Sequence, residues 1–431
     1  MVQSGFWKNV ITVLLGATGA QALPLLVAPF LTRMCTPEDI GAFSVWLGTV
    51  TVASIAATLR IDTVMVIDRD PHQQRLCFGV VTYTTTVVAL GLTLLGVLAR
   101  LLDLPVVRDM SWYQLLGIGL GTWLTASAQT TLAYATAHNL FRQAATAKVL
   151  KAWTIAIGQL ALLYVGLCHI ALLTGQLIGL AAGLWWARRI LKPPTSRIRL
   201  MLDAEQRHYL VRHQAFWRYS LPSSLINTLV GQLPLFMIGL HHGAAAAGLF
   251  ALTQRVLSAP VALVAASVQE VFKRQAAQEF QSLGHCRTVY RSTLRGLALL
   301  ALLPGLTLLL FAPDLFSWTF GARWEAAGQM ARIMAPLCFL NFIATPLSYV
   351  FFIAGKQKIE LGWQVALFTM TVAAFGAPLA LHQSVLAYAI GRCLLYLVYL
   401  AMSWRCAQDQ GGRRGGAALL RPQAAPGKIG R

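Results

Sequence analysis

The sequence predicts an all-α membrane protein of about twelve transmembrane helices. They fall into two six-helix bundles related by a pseudo-two-fold axis along the membrane normal, with both termini cytoplasmic. Three observations predict this. Of 431 residues, 57% are hydrophobic and only 12% are charged, with a mean hydropathy of +0.61. A soluble domain carries about 25% charged residues, so this chain has too little polar surface to cover itself in water. Apolar runs about 20 residues long recur along the chain, the length a bilayer demands. Basic residues collect in alternate gaps between those runs.

The spans follow in order. The first, 10–31, contains Pro24; it is too long for the apolar core of a signal peptide and no small-residue cleavage site follows it, which makes it a retained span. Next come 40–59, 77–98 and 112–137. The fifth and sixth, 149–167 and 172–187, are separated by little more than Cys168 and His169. Pro193-Pro194 stops the sixth, because proline lacks the amide hydrogen and clashes with the preceding turn. Six further spans follow a basic linker: 219–240, 245–267, 294–311, 327–353, 361–379 and 385–404. The expected organisation is therefore an amino-terminal bundle (1–187), a linker (188–218), a carboxy-terminal bundle (219–404) and a disordered basic tail (405–431). Within the linker, LMLDAEQRHYLVRHQAFW reads as a short amphipathic helix on the inner leaflet or as a plain connection.

The positive-inside rule tests the count independently. With the amino terminus in the cytoplasm, 28 of the 35 Lys and Arg residues lie in cytoplasmic segments. The other side receives Arg33, Arg100, Arg108 and Arg323, with Arg332 at its border. A wrong count would swap the sides partway and spoil the asymmetry. The halves also share a faint pattern. Pro24-Leu25, a turn and Gly41-Ala42-Phe43 in the first hairpin correspond to Pro234-Leu235, a turn and Gly248-Leu249-Phe250 in the seventh and eighth spans.

Several function classes are excluded. The net charge of +20 does not sit on a soluble face, so nucleic acid is not expected as a partner. The seven cysteines are scattered singly, which reads as small apolar side chains rather than a metal or disulfide set. No cofactor is implied. The external loops are too short to fold as a catalytic domain, and no hydrolase or phosphate-loop motif occurs, so the chain does not read as an enzyme.

What remains is the polar content of the spans. Gln21, Gln129, Gln159, Gln176 and Gln364 suit interhelical hydrogen bonds. Asn227, Gln232 and Asn341 are candidates for a cavity that receives a sugar. Charges inside a span cost several kcal/mol unless used or paired. Arg255 lies near the middle of the eighth span, Arg392 about two turns into the twelfth and Arg332 about one turn into the tenth. Arg33 closes the first span, where it is equally suited to snorkel to headgroups, and Arg60, with Asp62, closes the second. The deep charges are arginines, and no acid lies well inside a span. Such a cavity attracts anions, and the guanidinium fork suits phosphate oxygens; an exporter of cationic drugs would bury acids instead.

The first hairpin, GATGAQALPLLVAPFLTRMCTPEDIGAFSVW, resembles the opening of the polysaccharide (O-antigen type) flippases of the multidrug/oligosaccharidyl-lipid/polysaccharide exporter superfamily. Arg33, Thr36, Pro37, Glu38, Asp39, Gly41 and Phe43 carry the likeness. LRIDTVMVIDRD continues it, with Asp62 where Glu is commoner, as does FRQAATAKVLKA. The turn also has its own physical logic: Pro37 can start a helix, with Thr36 as cap and Glu38 and Asp39 at the positive end. The resemblance implies a flippase in the bacterial inner membrane, moving a polyprenyl-pyrophosphate-linked oligosaccharide outward for surface polysaccharide or lipopolysaccharide synthesis. Membrane lipids and other polysaccharide-assembly proteins are its implied partners. The alternatives are a membrane-embedded polymerase or ligase of the same pathway, and a lipid II or drug exporter of the same superfamily.

Overall fold

The structure, a computed structural model, describes residues 23–408 except 69, 105–109, 167, 195–200 and 355. Every regular element among them is helical. The amino-terminal part of the first expected span and the tail from 409 lie outside the described residues.

Contacts divide the chain into two compact units. One is Met1–Arg255 with Asp314–Ala327; the other is Val256–Pro313 with Gly328–Arg431. The first unit opens with α1 (Leu23–Met34) and α2 (Pro37–Thr58). The turn between them is fixed by local chemistry. Thr36 caps α2: its Oγ1 accepts from the Asp39 amide at 3.2 Å, while the Asp39 carboxylate accepts from the Thr36 amide at 3.1 Å. This reciprocal box satisfies two helix-end amides, with Pro37 at the first position, as the sequence implied.

A 3₁₀ helix (Ile61–Val66) joins α2 to α3 (Pro71–Leu101), and α4 (Trp112–Ala137), α5 (Phe141–Tyr164) and α6 (Cys168–Leu191) follow. α6 ends two residues before Pro193. Eight described helical stretches are long and apolar enough to cross a membrane, and Leu23–Met34 and Gly362–Gly376 are shorter apolar helices. α4 occupies the residues expected of the fourth span, yet its composition keeps it out of that set. It packs against α2, α3, α5 and α6, so its polar groups meet protein rather than lipid. Gln129 Nε2, for instance, donates to Ser54 Oγ at 3.3 Å. Trp46 of α2 is fully buried against it, donating to the Gln114 carbonyl at 3.1 Å, and Gly117 and Gly121 leave room for its ring.

α5 and α6 pack closely along much of their length. Gly175, Gly179 and Gly183 recur every fourth residue on α6, and a Cβ at Gly175 would fall 2.6 Å from the Gln159 nitrogen. Small residues at this spacing let backbones touch without a hydrophobic driving force. Gln159 Nε2 then donates to the Leu172 carbonyl at 3.0 Å, the interhelical role the sequence favoured for it. The linker helix α7 (Ala204–Arg212) lies on α3, with Tyr209 buried among Ile61, Val64, Met65 and Phe78.

A π-helical turn (Phe216–Ser220) leads into α8 (Leu221–Leu283). α8 is two helices joined at Gly243, whose φ of +84° and ψ of 175° break the helix. A Cβ built on Gly239 would sit 3.7 Å from Ala247 Cβ. Eight residues of straight helix would separate them by about 12 Å, so the chain turns back on itself at Gly243. The expected seventh and eighth spans are these two arms.

The rest of α8 is followed by α9 (Arg287–Phe320), α10 (Glu325–Leu347), a short α11 (Val350–Ile353), α12 (Gln357–Gly376) and α13 (Leu381–Gln408), which make up the second unit except for residues 314–327 at the end of α9 and the start of α10. Pro346 stands one residue before α10 ends, where the helix breaks into α11. α9 leaves Leu299, Leu303 and Leu310 each more than 60% exposed, a face suited to lipid rather than water.

Candidate functional site

The sequence candidates divide between the units: Arg33, Arg60, Arg255, Asn227 and Gln232 belong to the first, Arg332, Arg392 and Asn341 to the second. Within the first unit Arg33 and Arg60 stand at opposite ends of α2, whose 22 residues span about 33 Å.

Arg33 is exposed at the end of α1, and its Nη2 donates to the Trp318 carbonyl at 3.2 Å. It belongs to a clasp around the α1–α2 turn. Trp324, fully buried, donates its indole N–H to the Thr32 carbonyl at 2.9 Å, and Arg323 Nη1 reaches the Cys35 carbonyl at 3.5 Å.

Next to this clasp the two hairpins that share a sequence pattern touch. A Cβ on Gly41 would run into the Ala244 carbonyl and lie 2.7 Å from the Gly248 nitrogen. A Cβ on Gly248 would run into the Pro37 carbonyl and lie 2.9 Å from the Gly41 nitrogen. Each glycine meets the carbonyl four residues before the other, so the contact is reciprocal, as a local two-fold requires.

Arg60 follows Leu59 at the inner-facing end expected for α2, and both have left-handed backbones, with φ of +58° and +50°. Two such non-glycine residues in succession cost about 1–2 kcal/mol each. They turn Asp62 inward, where it is 7% exposed. Burial raises the Asp62 carboxyl above its ordinary range, opposed by the charge of Arg60 and a hydrogen bond from Thr58. Arg60 Nε and Asp62 Oδ1 are buried without hydrogen-bond partners.

Arg255 is half-buried in the second arm of α8. Gln232 packs against α2, its Oε1 3.1 Å from where a Cβ on Gly48 would lie. Asn227 and Arg332 are exposed.

Arg392 and Asn341 are brought together in the second unit. Arg392 lies between Tyr388 and Tyr396, one turn away on either side along α13. It donates through Nη1 to the Tyr388 hydroxyl, and its guanidinium carbon lies 5.2 and 6.0 Å from the two ring centroids. Tyr396 in turn donates to Asn341 Oδ1 at 3.0 Å, which also accepts from Thr345 at 2.9 Å. Arg392 Nε is buried and without a hydrogen-bond partner. This is a cation held by aromatic faces and hydroxyls, with donors in hand for a phosphate or carboxylate. Reading for charge alone passes over the two tyrosines; the spacing Tyr-x₃-Arg-x₃-Tyr on one helix face is the signal that finds them. Among the described residues no group of three His, Cys, Asp or Glu could hold a metal ion.

Residues 30–329 match the model of a family described as polysaccharide biosynthesis protein. No curated protein matches the sequence. Solved structures share the fold over most of the chain. The lipid II flippase MurJ in an inward closed conformation is 12% identical, covering 93% of this chain and 90% of its own, with a TM-score of 0.71. An inward-facing multidrug resistance MATE family transporter of the MOP superfamily is 14% identical, covering 92% and 96%, at 0.65. A MOP superfamily transporter from Pyrococcus furiosus, described by a binding pocket of reverse polarity, is 14% identical, covering 94% and 96%, at 0.58.

Proposed function

Because the chain belongs to the polysaccharide biosynthesis protein family and folds as the MOP transporters do, we propose that it is a flippase for polyprenyl-pyrophosphate-linked oligosaccharides. It serves surface polysaccharide or lipopolysaccharide assembly in a bacterial inner membrane. The observation that carries the reading is the Arg392 cluster, a half-buried guanidinium in an apolar helix with a free Nε. A membrane-embedded cation has to be used or paired, and here aromatic faces and a hydroxyl hold it without neutralising it.

Its proposed part is to bind the pyrophosphate, while Asn341, linked to the cluster through Tyr396, meets the sugar. The two six-helix halves rock in alternating access, with both termini cytoplasmic, and Pro24, Pro234, Pro260 and Pro346 supply bend points. The chain itself makes and breaks no bond. Deleting it from its host tests the reading: lipid-linked repeat units should accumulate on the inner leaflet. Single repeat units reaching the cell surface would mark a polymerase instead and contradict the proposal.

A further inference from the structure

A groove of about 730 Å³ opens on the side of the first unit among α3, α4 and α6. The volume lies within the range of small-ligand pockets. Its walls are apolar and aromatic: Phe78 on α3, Trp123 and Leu124 on α4, Leu184 and Trp185 on α6. Its mouth is basic, lined by Arg188, Arg189 and Lys192.

The two parts are arranged along the membrane normal. On α6 the lining runs from Ala181 to Lys192, about 16 Å of helix, of which the apolar part, Ala181 to Trp185, is about 6 Å. The groove therefore has room for the part of a lipid nearest its headgroup. Its basic end lies on the side that the positive-inside rule assigns to the cytoplasm. Trp185 is 51% exposed, so the wall opens sideways to lipid, while the Trp123 indole is fixed by donating to Thr86 Oγ1 at 3.2 Å.

The cations are presented rather than spent. Arg189 stacks on Trp185, its guanidinium carbon 5.0 Å from the ring centroid. Lys192 adopts a left-handed backbone that ends α6, which keeps it beside Arg188 one turn earlier. Among the described residues no carboxylate pairs with any of the three. Cations at a helix carboxyl end also favour the helix dipole, but the dipole does not account for the apolar, aromatic groove beneath them.

The geometry points to a binding site for an anionic phospholipid of the inner leaflet, its phosphate on Arg188, Arg189 and Lys192 and the headgroup end of one acyl chain in the groove. All the lining residues belong to one compact unit, which suits a resident lipid rather than a transported one. The inference stands apart from the transport reading: it needs only a membrane and this orientation.

The test uses the purified full-length chain, titrated in detergent with phosphatidylglycerol and separately with phosphatidylcholine, with retained lipid counted by native mass spectrometry. Phosphatidylglycerol should be retained at least tenfold more tightly, and R188Q/R189Q/K192Q should abolish the difference. Ala181→Phe, at an exposed wall position, keeps the charge but blocks the chain, and should also release the lipid. Equal retention of the two lipids, or unchanged binding in both variants, overturns the inference. So does displacement of phosphatidylglycerol by a polyprenyl phosphate with the same dependence on the three cations, which would give the groove to the carrier lipid.

Discussion

Arg392 shows how a residue's neighbours decide its chemistry. A lone arginine in a span is costly; flanked by tyrosines one turn away on either side, it keeps a hydrogen-bonded, ring-bracketed place and retains donors. Arg392→Ala should reduce surface polysaccharide at least tenfold with unchanged protein in the membrane. Arg392→Lys should not restore it, because an ammonium cannot stack and fork at once. Tyr396→Phe keeps the ring and loses the hydrogen bond to Asn341, worth about 1 kcal/mol or roughly fivefold in activity. Quantifying polysaccharide against immunoblotted protein separates the three variants. The arginine was legible in the sequence because a charge stands out against an apolar run. The tyrosines were not, because aromatic residues in a span read as bulk until their spacing is set beside the charge. Asn341 was legible only as a polar residue, since its link to Arg392 runs through a contact between α10 and α13.

At the scale of elements, helix ends were the most readable feature. The Thr36 capping box, Pro37 at the start of α2 and the stop before Pro193-Pro194 follow from residue chemistry alone. The meeting of Gly41 and Gly248 did not follow; the sequence showed two similar hairpins, and only the fold places one against the other. Each should resist even a methyl group. Gly41→Ala and Gly248→Ala should each cost about 1–3 kcal/mol by overpacking. The double variant should cost less than the sum, because one displacement relieves both clashes; thermal unfolding of the four proteins checks this. The docking of α7 on α3 is a second such contact. Tyr209 donates to Asp68 Oδ2 at 2.9 Å, and His213 Nε2 lies 3.6 Å from the same oxygen. Burial lowers the His213 pKa below 6.5, with Arg212 adding to the effect and Asp68 opposing it. Docking is therefore unpenalised above the ordinary histidine pKa. It weakens as pH falls through that value, because the undocked helix takes up the proton first. Hydrogen exchange over residues 204–213, corrected for intrinsic rates, should show less protection at about pH 5.5 than at about pH 7.5, and His213→Gln should remove the difference.

For the whole molecule, composition alone demanded a membrane. The exposed leucines of α9 and the many helices of spanning length bear that out. Hydropathy located the described helices well, and its weak point was instructive. α4, expected as the fourth span, is more polar than the eight spanning stretches, and its polar side chains such as Gln129, Thr130 and Thr131 bond to other groups of the protein. Hydropathy alone does not register polar groups that are satisfied in this way. The site was less legible than the fold for a related reason. Sequence position shows how deep a charge lies but not what it meets, and the contact of Arg33 with the Trp318 carbonyl beside the α1–α2 turn could not be read from it. The central claim is that this chain moves a pyrophosphate-linked glycolipid between leaflets. Reconstitution of the purified chain in liposomes loaded with lipid-linked oligosaccharide, with a lectin reporting the outer leaflet, tests it most directly. The account predicts glycan exposure that depends on the protein and is lost in Arg392→Ala. Exposure no faster than in protein-free liposomes, or equal in wild type and Arg392→Ala, would contradict it.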